Sequence, residues 1–205
     1  VGYNEMEAVF SSPESVLDRY TQKLLYPDSC YTHESGGDPD VIPQLTYEDF
    51  LKFHSAYYHP SNSYIYLYGD MDMAEKLEWL DREYLCHYDR KTVDSEIPMQ
   101  KAFEKPVEEE IFYSITEEEK EENASYLSVN TVVGTDLDPK LYMAFQILEY
   151  TLLDAPGAPV KQALLDAGIG QDILGGYESG ILHPYFSVIA KNAQKSQKGD
   201  FLAVL

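Results

Sequence analysis

Residues 31–70 have the sequence YTHESGGDPDVIPQLTYEDFLKFHSAYYHPSNSYIYLYGD, in which a loop, a helix and a strand are predicted to follow one another. The loop is indicated by residues 36–39, Gly-Gly-Asp-Pro, because glycine and proline together favour a turn. Thr46 is expected to cap the helix, with Asp49 three residues later as its reciprocal partner. The helix should end just before Pro60, which disfavours helical geometry at the preceding residue. This succession of elements predicts an α+β fold.

The helix and the strand of this stretch both carry large apolar side chains. The helix is predicted to bury an aromatic stripe at helical spacing, formed by Tyr47, Phe50, Phe53 and Tyr57. Residues 63–69, SYIYLYG, alternate between three tyrosines on one face and two aliphatic side chains on the other. Because both faces are bulky, we expect this strand to lie inside a sheet and not at its edge.

The segments on either side of this stretch are also predicted to be helical. Residues 4–26 form a helical region that restarts at Pro13, with Ser12 as the N-cap. Asp72 is expected to cap a further helix. Residues 89–105 have no hydrophobic period, contain Pro98 and are followed by Pro106, so they are predicted to be a linker or a crossover.

The remainder of the chain predicts a second α+β unit. Two strands are expected at residues 107–115 and 124–133, and a helix capped by Asp138 should follow them. A shorter helix is predicted to end at Gly168. A closing hairpin is predicted from two further strands, at residues 171–178 and 184–191.

The composition is that of a globular protein, and it narrows the classes of partner. The chain has 205 residues, enough for one large domain or two small ones. Its 36 acidic against 15 basic residues give a net charge of −21, which argues against binding of nucleic acid. The same charge permits basic peptides as partners, because a negative field attracts cations. No apolar run approaches the roughly 20 residues of a membrane span, so no membrane partner is expected.

The negative charge is concentrated in one segment. Residues 104–122 contain nine Glu and two Lys. A run of this kind is usually a solvated rim or loop, although steering of a basic substrate is the alternative. The two cysteines, Cys30 and Cys86, are far apart in the sequence, which favours free thiols over a single long-range disulfide.

No complete catalytic constellation is present in the sequence. The five histidines, His33, His54, His59, His87 and His183, do not form H-x-x-E-H or H-E-x-x-H. His54 and His59 lie about 140° apart around a helix, too far to share an ion. His33 is interpreted as a loop residue and His54 as structural. The chain also has no nucleophile elbow and no phosphate-binding loop.

Three stretches together resemble one family of enzymes. GYNEMEAVFSSP (residues 2–13), the opening stretch (residues 31–70) and GAPVKQALLDAGIG (residues 157–170) are similar to the insulinase/pitrilysin-type zinc peptidases. Within that family they most resemble the presequence-protease branch, which includes falcilysin. The resemblance extends through nearly the whole chain and implies two-layer sheet-and-helix domains of the mitochondrial processing peptidase type (the LuxS/MPP-like metallohydrolase fold).

The resemblance implies a role for Glu5. The family binds one zinc ion through an inverted H-x-x-E-H helix and a glutamate far downstream, in a segment that resembles N-E-M-x-x-V-x-S. Glu5 matches that third metal ligand, and three protein ligands with an open water position are typical of catalytic zinc. Judged on its residues alone, Glu5 is an exposed carboxylate favoured by the helix dipole. Asn4 is either a cap or a hydrogen-bonding neighbour of the site, and Glu7 is interpreted as a surface residue.

The resemblance also implies how the chain divides into domains. Residues 1–95 would be the C-terminal part of the first, zinc-bearing domain, and residues 96–105 the linker. Residues 106–205 would be the N-terminal part of the second, catalytically silent domain. The two histidines and the catalytic glutamate are expected upstream of residue 1. The piece itself should therefore contain no catalytic residue and should not hold zinc.

By resemblance, the parent protein is a zinc endopeptidase that cuts unstructured peptides inside a closed chamber. Its expected partners are a peptide substrate and the missing parts of its own chain, in the cytoplasm or an organelle matrix. Two alternatives stay open. One is a non-catalytic scaffold subunit of the same superfamily, as in respiratory-complex core proteins, and the other is a peptide-binding module with an acidic rim. An upstream H-x-x-E-H would distinguish the peptidase from the scaffold.

Overall fold

The computed structural model describes residues 2–118 and 120–205, which fall into two compact units. The first unit comprises the chain up to Pro39 together with Pro98–Leu205, and the second is Asp40–Ile97. Seven α-helices occur in the described residues: α1 (Gly2–Val9), α2 (Pro13–Leu25), α3 (Tyr47–Tyr57), α4 (Met73–Glu83), α5 (Pro139–Glu149), α6 (Pro159–Asp166) and α7 (Lys198–Val204). The three strands are β1 (Ser125–Val132), β2 (Asp172–Glu178) and β3 (Tyr185–Ala193). The α+β class predicted from the sequence is confirmed.

The first unit is built on an antiparallel sheet in which β3 lies between β1 and β2. Val129 pairs with Val188 on one side of β3, and Gly175 pairs with the same valine on the other side. Gly175 has a φ of +127°, and a Cβ there would lie 2.1 Å from the carbonyl oxygen of Ser187. Only glycine allows β2 to approach β3 this closely. The predicted hairpin is confirmed, as is the predicted strand before α5.

The core of the first unit lies between this sheet and the C-terminal helices. A π-helical turn, Tyr150–Asp154, continues α5 and leads toward α6. The buried cluster contains side chains from the π-helical turn, from α6 and the residues after it, from β2 and β3, and from α7: Leu153, Leu164, Ile169, Ile173, Val188, Ala190, Ala193 and Phe201. Since burial of apolar area contributes roughly 25 cal/mol per Å², this cluster is the main source of the unit's stability.

Four helices, α2 to α5, begin at the caps that the sequence predicts. The Ser12 side chain accepts a hydrogen bond from the amide of Ser15, and Pro13 is the first residue of α2. The Thr46 hydroxyl accepts the amide of Asp49 at 3.1 Å and donates to its carboxylate at 2.6 Å. Asp72 and Asp138 cap α4 and α5. These bonds satisfy amides that a helix leaves unpaired in its first turn.

In the second unit, two predictions are wrong: the strand at residues 63–69 and the buried aromatic stripe of α3. Residues 63–69 form no strand, and Tyr64, Tyr66 and Tyr68 are 104%, 84% and 84% exposed. The aromatic stripe of α3 is exposed as well, although it was expected to be buried. Both predictions were wrong for one physical reason. The apolar pattern requires an opposing sheet surface, and the second unit contains no strand within its residues.

The segment between the two predicted domains contains no helix or strand from Tyr88 to Thr116. Residues 89–105 are irregular, as expected, but their role as a linker stays a prediction, and the strand predicted at 107–115 does not form. The side chains of Ile111, Tyr113 and Ile115 are half-buried and alternate with exposed ones. An extended conformation, in which successive side chains point to opposite sides, explains this alternation. The domain boundary at residues 96–105 stays a prediction about the parent protein.

Candidate functional site

Glu5 lies in the first turn of α1, where the sequence places the candidate metal ligand. Its side chain is exposed, and within the described residues no hydrogen bond or ion pair holds the carboxylate. An exposed carboxylate without such partners is free to coordinate a metal ion. It fits zinc as one oxygen donor, and the remaining donors of a zinc site must then come from residues outside the described chain.

Contacts on both sides fix the helix that carries Glu5. The Met6 side chain packs against Gly36, where an added Cβ would lie 2.3 Å from the Met6 sulfur. The guanidinium of Arg19, on α2, stacks 3.8 Å from the centre of the Phe10 ring just beyond the end of α1. Arg19 also approaches Asp38 at 3.9 Å. The Gly-Gly-Asp-Pro loop therefore contributes to the orientation of the helix that carries Glu5.

The histidines occupy separate positions. His54 stacks on Tyr58 along α3, with ring centres 4.6 Å apart, and the Nδ1 of His59 accepts a hydrogen bond from the amide of Ser61. His183 is only 2% exposed, with its Nε2 3.2 Å from the Met99 sulfur. Across residues 2–118 and 120–205, no three or more His, Cys, Asp or Glu side chains form a group able to hold a metal ion.

A cleft of about 250 Å³ separates α2 from the sheet of the first unit. The helix contributes Glu14, Leu17, Asp18 and Thr21, and the strands contribute Tyr126, Leu174, Glu178, Tyr185 and Ile189. The Tyr126 hydroxyl donates to Glu14 at 2.9 Å, and the Tyr185 hydroxyl donates to Asp18 at the same distance. The cleft is therefore acidic at its rim and partly apolar on its walls.

The carboxylates of this cleft are in different electrostatic environments. Lys191 donates to Glu14 at 2.5 Å and lowers the pKa of that carboxyl, and Glu14 in turn raises the pKa of Lys191. Burial, followed by the hydrogen bond to Glu14, raises the pKa of Tyr126 to about 12. Burial first, and then the charges of Asp18 and Glu149, raise the pKa of Glu178. The surroundings therefore favour the charged form of Glu14 and disfavour the charged form of Glu178.

The acidic segment is partly paired. Lys195 donates to Glu110 at 2.5 Å, and Lys198 forms an ion pair with Glu108. Glu117, Glu118, Glu121 and Glu122 are exposed, and Glu119 lies outside the described residues. The ion pairs attach the beginning of the segment to the region around α7. The glutamates at residues 117, 118, 121 and 122 are therefore at the surface of the described chain.

The sequence argument did not identify the cleft. Glu14, Asp18 and Thr21 recur at intervals of four and three residues, so they share one face of α2. That spacing and the paired glycines inside β2 were the available signals. They were missed because an acidic residue on a helix is most often only part of a solvated face.

Both cysteines are exposed and free, as the sequence favoured. No described helix has the length and apolar character needed to cross a membrane.

Comparison with known proteins gives relatives that include several presequence proteases. The chain is 46% identical to protein HypA of Clostridium perfringens over 205 residues, which is all of this chain and 21% of that protein. It is 35% identical to presequence protease 1, chloroplastic/mitochondrial, of Arabidopsis thaliana over 95% of this chain and 18% of that protein. The chain therefore spans about a fifth of the length of these relatives.

A solved structure shows a similar fold. A crystal structure of an M16-like peptidase from Alicyclobacillus acidocaldarius matches 98% of this chain and 48% of its own, with a TM-score of 0.55 and 18% identity. The family model described as the peptidase M16 inactive domain matches residues 44–203. The resemblance found in the sequence is confirmed, and the chain belongs to the peptidase M16 inactive-domain family.

Proposed function

We propose that the chain is part of a zinc-dependent endopeptidase that hydrolyses unstructured peptides inside a closed chamber. The observation that carries this proposal is the family match over residues 44–203, joined by 35% identity to a presequence protease through nearly the whole chain. The exposed, unengaged carboxylate of Glu5 supports it. A peptide is the proposed substrate, and the cytoplasm or an organelle matrix is the proposed location.

Glu5 supplies one carboxylate oxygen to the metal site of the parent protein. A zinc ion held there would supply Lewis-acid activation of water for hydrolysis of a peptide bond. Within this chain, α1 presents Glu5, while Met6 and Arg19 hold α1 against the loop that contains Gly36. The remaining ligands and the general base are proposed to lie in the part of the parent that precedes residue 1.

The 205-residue chain alone should not hydrolyse peptides. It lacks the two histidines and the general base, so nothing within it activates water. The purified chain, incubated with an unfolded peptide and zinc, should release no more product than a protein-free control. Turnover that a chelator abolishes would show a complete active site within these residues and would contradict the proposal.

Glu5→Gln in the complete enzyme should lower zinc occupancy or peptidase activity at least about tenfold, because a neutral amide is a poorer ligand than a carboxylate. Metal content by mass spectrometry and kcat/KM on one peptide are the two measurements. Glu7→Gln is the matched control, since Glu7 is an exposed carboxylate on the same helix. Full zinc content with unchanged activity in Glu5→Gln would show that Glu5 is an exposed carboxylate at the end of α1 and not a metal ligand.

A further inference from the structure

The second unit, Asp40–Ile97, contains a pocket of about 550 Å³ with basic residues in its lining. The pocket lies between the 3₁₀ turn Pro60–Asn62 and the segment that follows α4, and Arg90, Lys91 and His59 are among its lining residues. Its volume is within the roughly 300–1,000 Å³ typical of small-molecule sites. In a chain with 36 acidic and 15 basic residues, two adjacent cations in one pocket favour an anion as its ligand.

Hydrogen bonds hold the two sides of this pocket together. The amide of Lys91 donates to the hydroxyl oxygen of Ser61 at 3.2 Å, and the Lys91 ammonium donates to the carbonyl of Ser55 at 3.4 Å. The Ser95 hydroxyl donates to the side-chain oxygen of Asn62 at 2.6 Å. These bonds join residues that are 30 to 36 positions apart. The pocket is therefore formed by the fold of the unit and not by one loop.

The lining residues provide several hydrogen-bond donors. Arg90 makes no hydrogen bond or ion pair with another residue of the described ranges 2–118 and 120–205, so all five N–H groups of its guanidinium can donate to a ligand. The Nδ1 of His59 accepts the amide of Ser61 at 3.1 Å, and the hydrogen of the neutral ring is therefore on Nε2. The hydroxyls of Ser61 and Thr92 complete the set.

This lining suits a phosphate group better than a carboxylate or a sulfate. Phosphate presents more acceptor oxygens than a carboxylate, and arginine forms bidentate hydrogen bonds with it. Asp89 also lines the pocket, and its carboxylate can accept the hydrogen of a singly protonated phosphate. Sulfate has no hydrogen to donate, so Asp89 repels it. Tyr88 and Leu85 add an apolar wall beside the basic residues.

We propose that this pocket binds a small phosphate monoester. Its phosphate group is held by Arg90, Lys91 and His59, and its organic group lies against Tyr88. The Tyr88 ring already packs edge-on against His59, with ring centres 5.3 Å apart, which places the apolar wall next to one of the donors. The inference does not rest on the proposed peptidase function, because none of these residues belongs to the proposed metal site.

Isothermal titration calorimetry of the 205-residue chain tests the site with three probes: inorganic phosphate, phenyl phosphate and sulfate. The titrations are made near pH 6, where about half of a phosphate monoester carries one hydrogen. Inorganic phosphate should bind to one site with a Kd of about 1 mM or lower. Phenyl phosphate should bind at least about twofold more tightly, because its ring contacts Tyr88. Sulfate should bind at least about fivefold more weakly than phosphate.

Three results of these titrations would overturn the proposal. The absence of saturable phosphate binding would show that the pocket is not an anion site. Equal affinity for sulfate and phosphate would show that the pocket responds to charge alone. Phenyl phosphate that binds no more tightly than inorganic phosphate would exclude an ester as the ligand.

A matched pair of variants locates the binding. Arg90→Gln should weaken phosphate binding at least about tenfold, because it removes charge-assisted hydrogen bonds. Lys52→Gln is the control, since Lys52 is an exposed lysine of α3 that does not line the pocket and its loss changes the net charge equally. Both side chains are exposed, so both variants should melt at the temperature of the wild type. Unchanged binding in Arg90→Gln, or equal losses in the two variants, would refute the assignment of the phosphate to this pocket.

Discussion

At the scale of single residues, two carboxylates in one cleft respond to their surroundings in opposite ways. Glu14 gains a lysine and a tyrosine hydroxyl as partners. Glu178 faces the carboxylates of Asp18 and Glu149, and no ion pair with a cation is formed by Glu178 among residues 2–118 and 120–205. The fold therefore stabilises the charged form of the first and the neutral form of the second.

This difference predicts opposite effects of neutralising the two residues. Because the folded pKa of Glu14 is lowered, its contribution to stability is present above its unfolded pKa near 4.5 and is lost as the pH falls below it. Because the folded pKa of Glu178 is raised, its charge destabilises the fold at neutral pH, and that penalty disappears as the pH falls through the raised pKa. At pH 7, Glu178→Gln should raise the melting temperature by about 1–3 °C and Glu14→Gln should lower it.

The measurement is thermal unfolding of the 205-residue chain and both variants between pH 4 and pH 8. Near pH 4 the difference between wild type and Glu178→Gln should vanish, because the wild-type carboxyl is then protonated. A gain in stability that persisted unchanged at pH 4 would mean that charge is not its cause.

At the scale of helices and strands, the sequence predicted correctly those elements that are stabilised by hydrogen bonds between residues close together in the chain. Caps such as Ser12 and Thr46 act on the amides of their own helix, and the β2–β3 hairpin pairs neighbouring segments of the chain. These elements were predicted correctly. Residues 63–69 were predicted as a strand from an equally strong pattern, but a strand also needs a partner that the pattern cannot supply.

The candidate site shows the same division. Glu5 was found because its segment resembles a known family, and no local physical signal distinguishes it from other exposed carboxylates. The cleft was missed because it forms only when α2 lies on the sheet, and Glu14 is then brought next to Lys191, which is 177 residues away in the sequence. Residue spacing along α2 predicts the side chains of one wall of the cleft, but it does not predict which strand residues form the other wall.

The same contrast between elements predicts which core substitutions matter. Leu164 on α6 is fully buried, whereas Phe53 on α3 is 59% exposed. Leu164→Ala should cost about 2–5 kcal/mol in the free energy of unfolding, since it leaves a cavity. Phe53→Ala should change it by no more than about 0.5 kcal/mol in the 205-residue chain. Urea unfolding followed by tyrosine fluorescence measures both. A large loss for Phe53→Ala would show that α3 is covered in solution.

At the scale of the whole molecule, the dominant property is the net charge of −21. Part of it is compensated locally, because Glu108 and Glu110 pair with lysines near α7. The carboxylates at residues 117, 118, 121 and 122 stay exposed to solvent. Crowding so many like charges into an enclosed chamber would be costly, and a solvated turn avoids that cost. The acidic turn is therefore expected to affect solubility more than substrate choice.

Substitution of this turn in the complete enzyme decides between the two roles. Replacing Glu117, Glu118, Glu119, Glu121 and Glu122 by Gln should leave kcat/KM unchanged for both a Lys/Arg-rich peptide and a neutral one. The comparison is made at low salt and near 1 M salt, since the Debye length falls from about 8 Å at physiological ionic strength to about 3 Å at 1 M. If the turn lines the path of the substrate, its field raises the encounter rate of the basic peptide, and salt removes that advantage. A loss of kcat/KM confined to the basic peptide at low salt would therefore place the acidic turn in substrate selection.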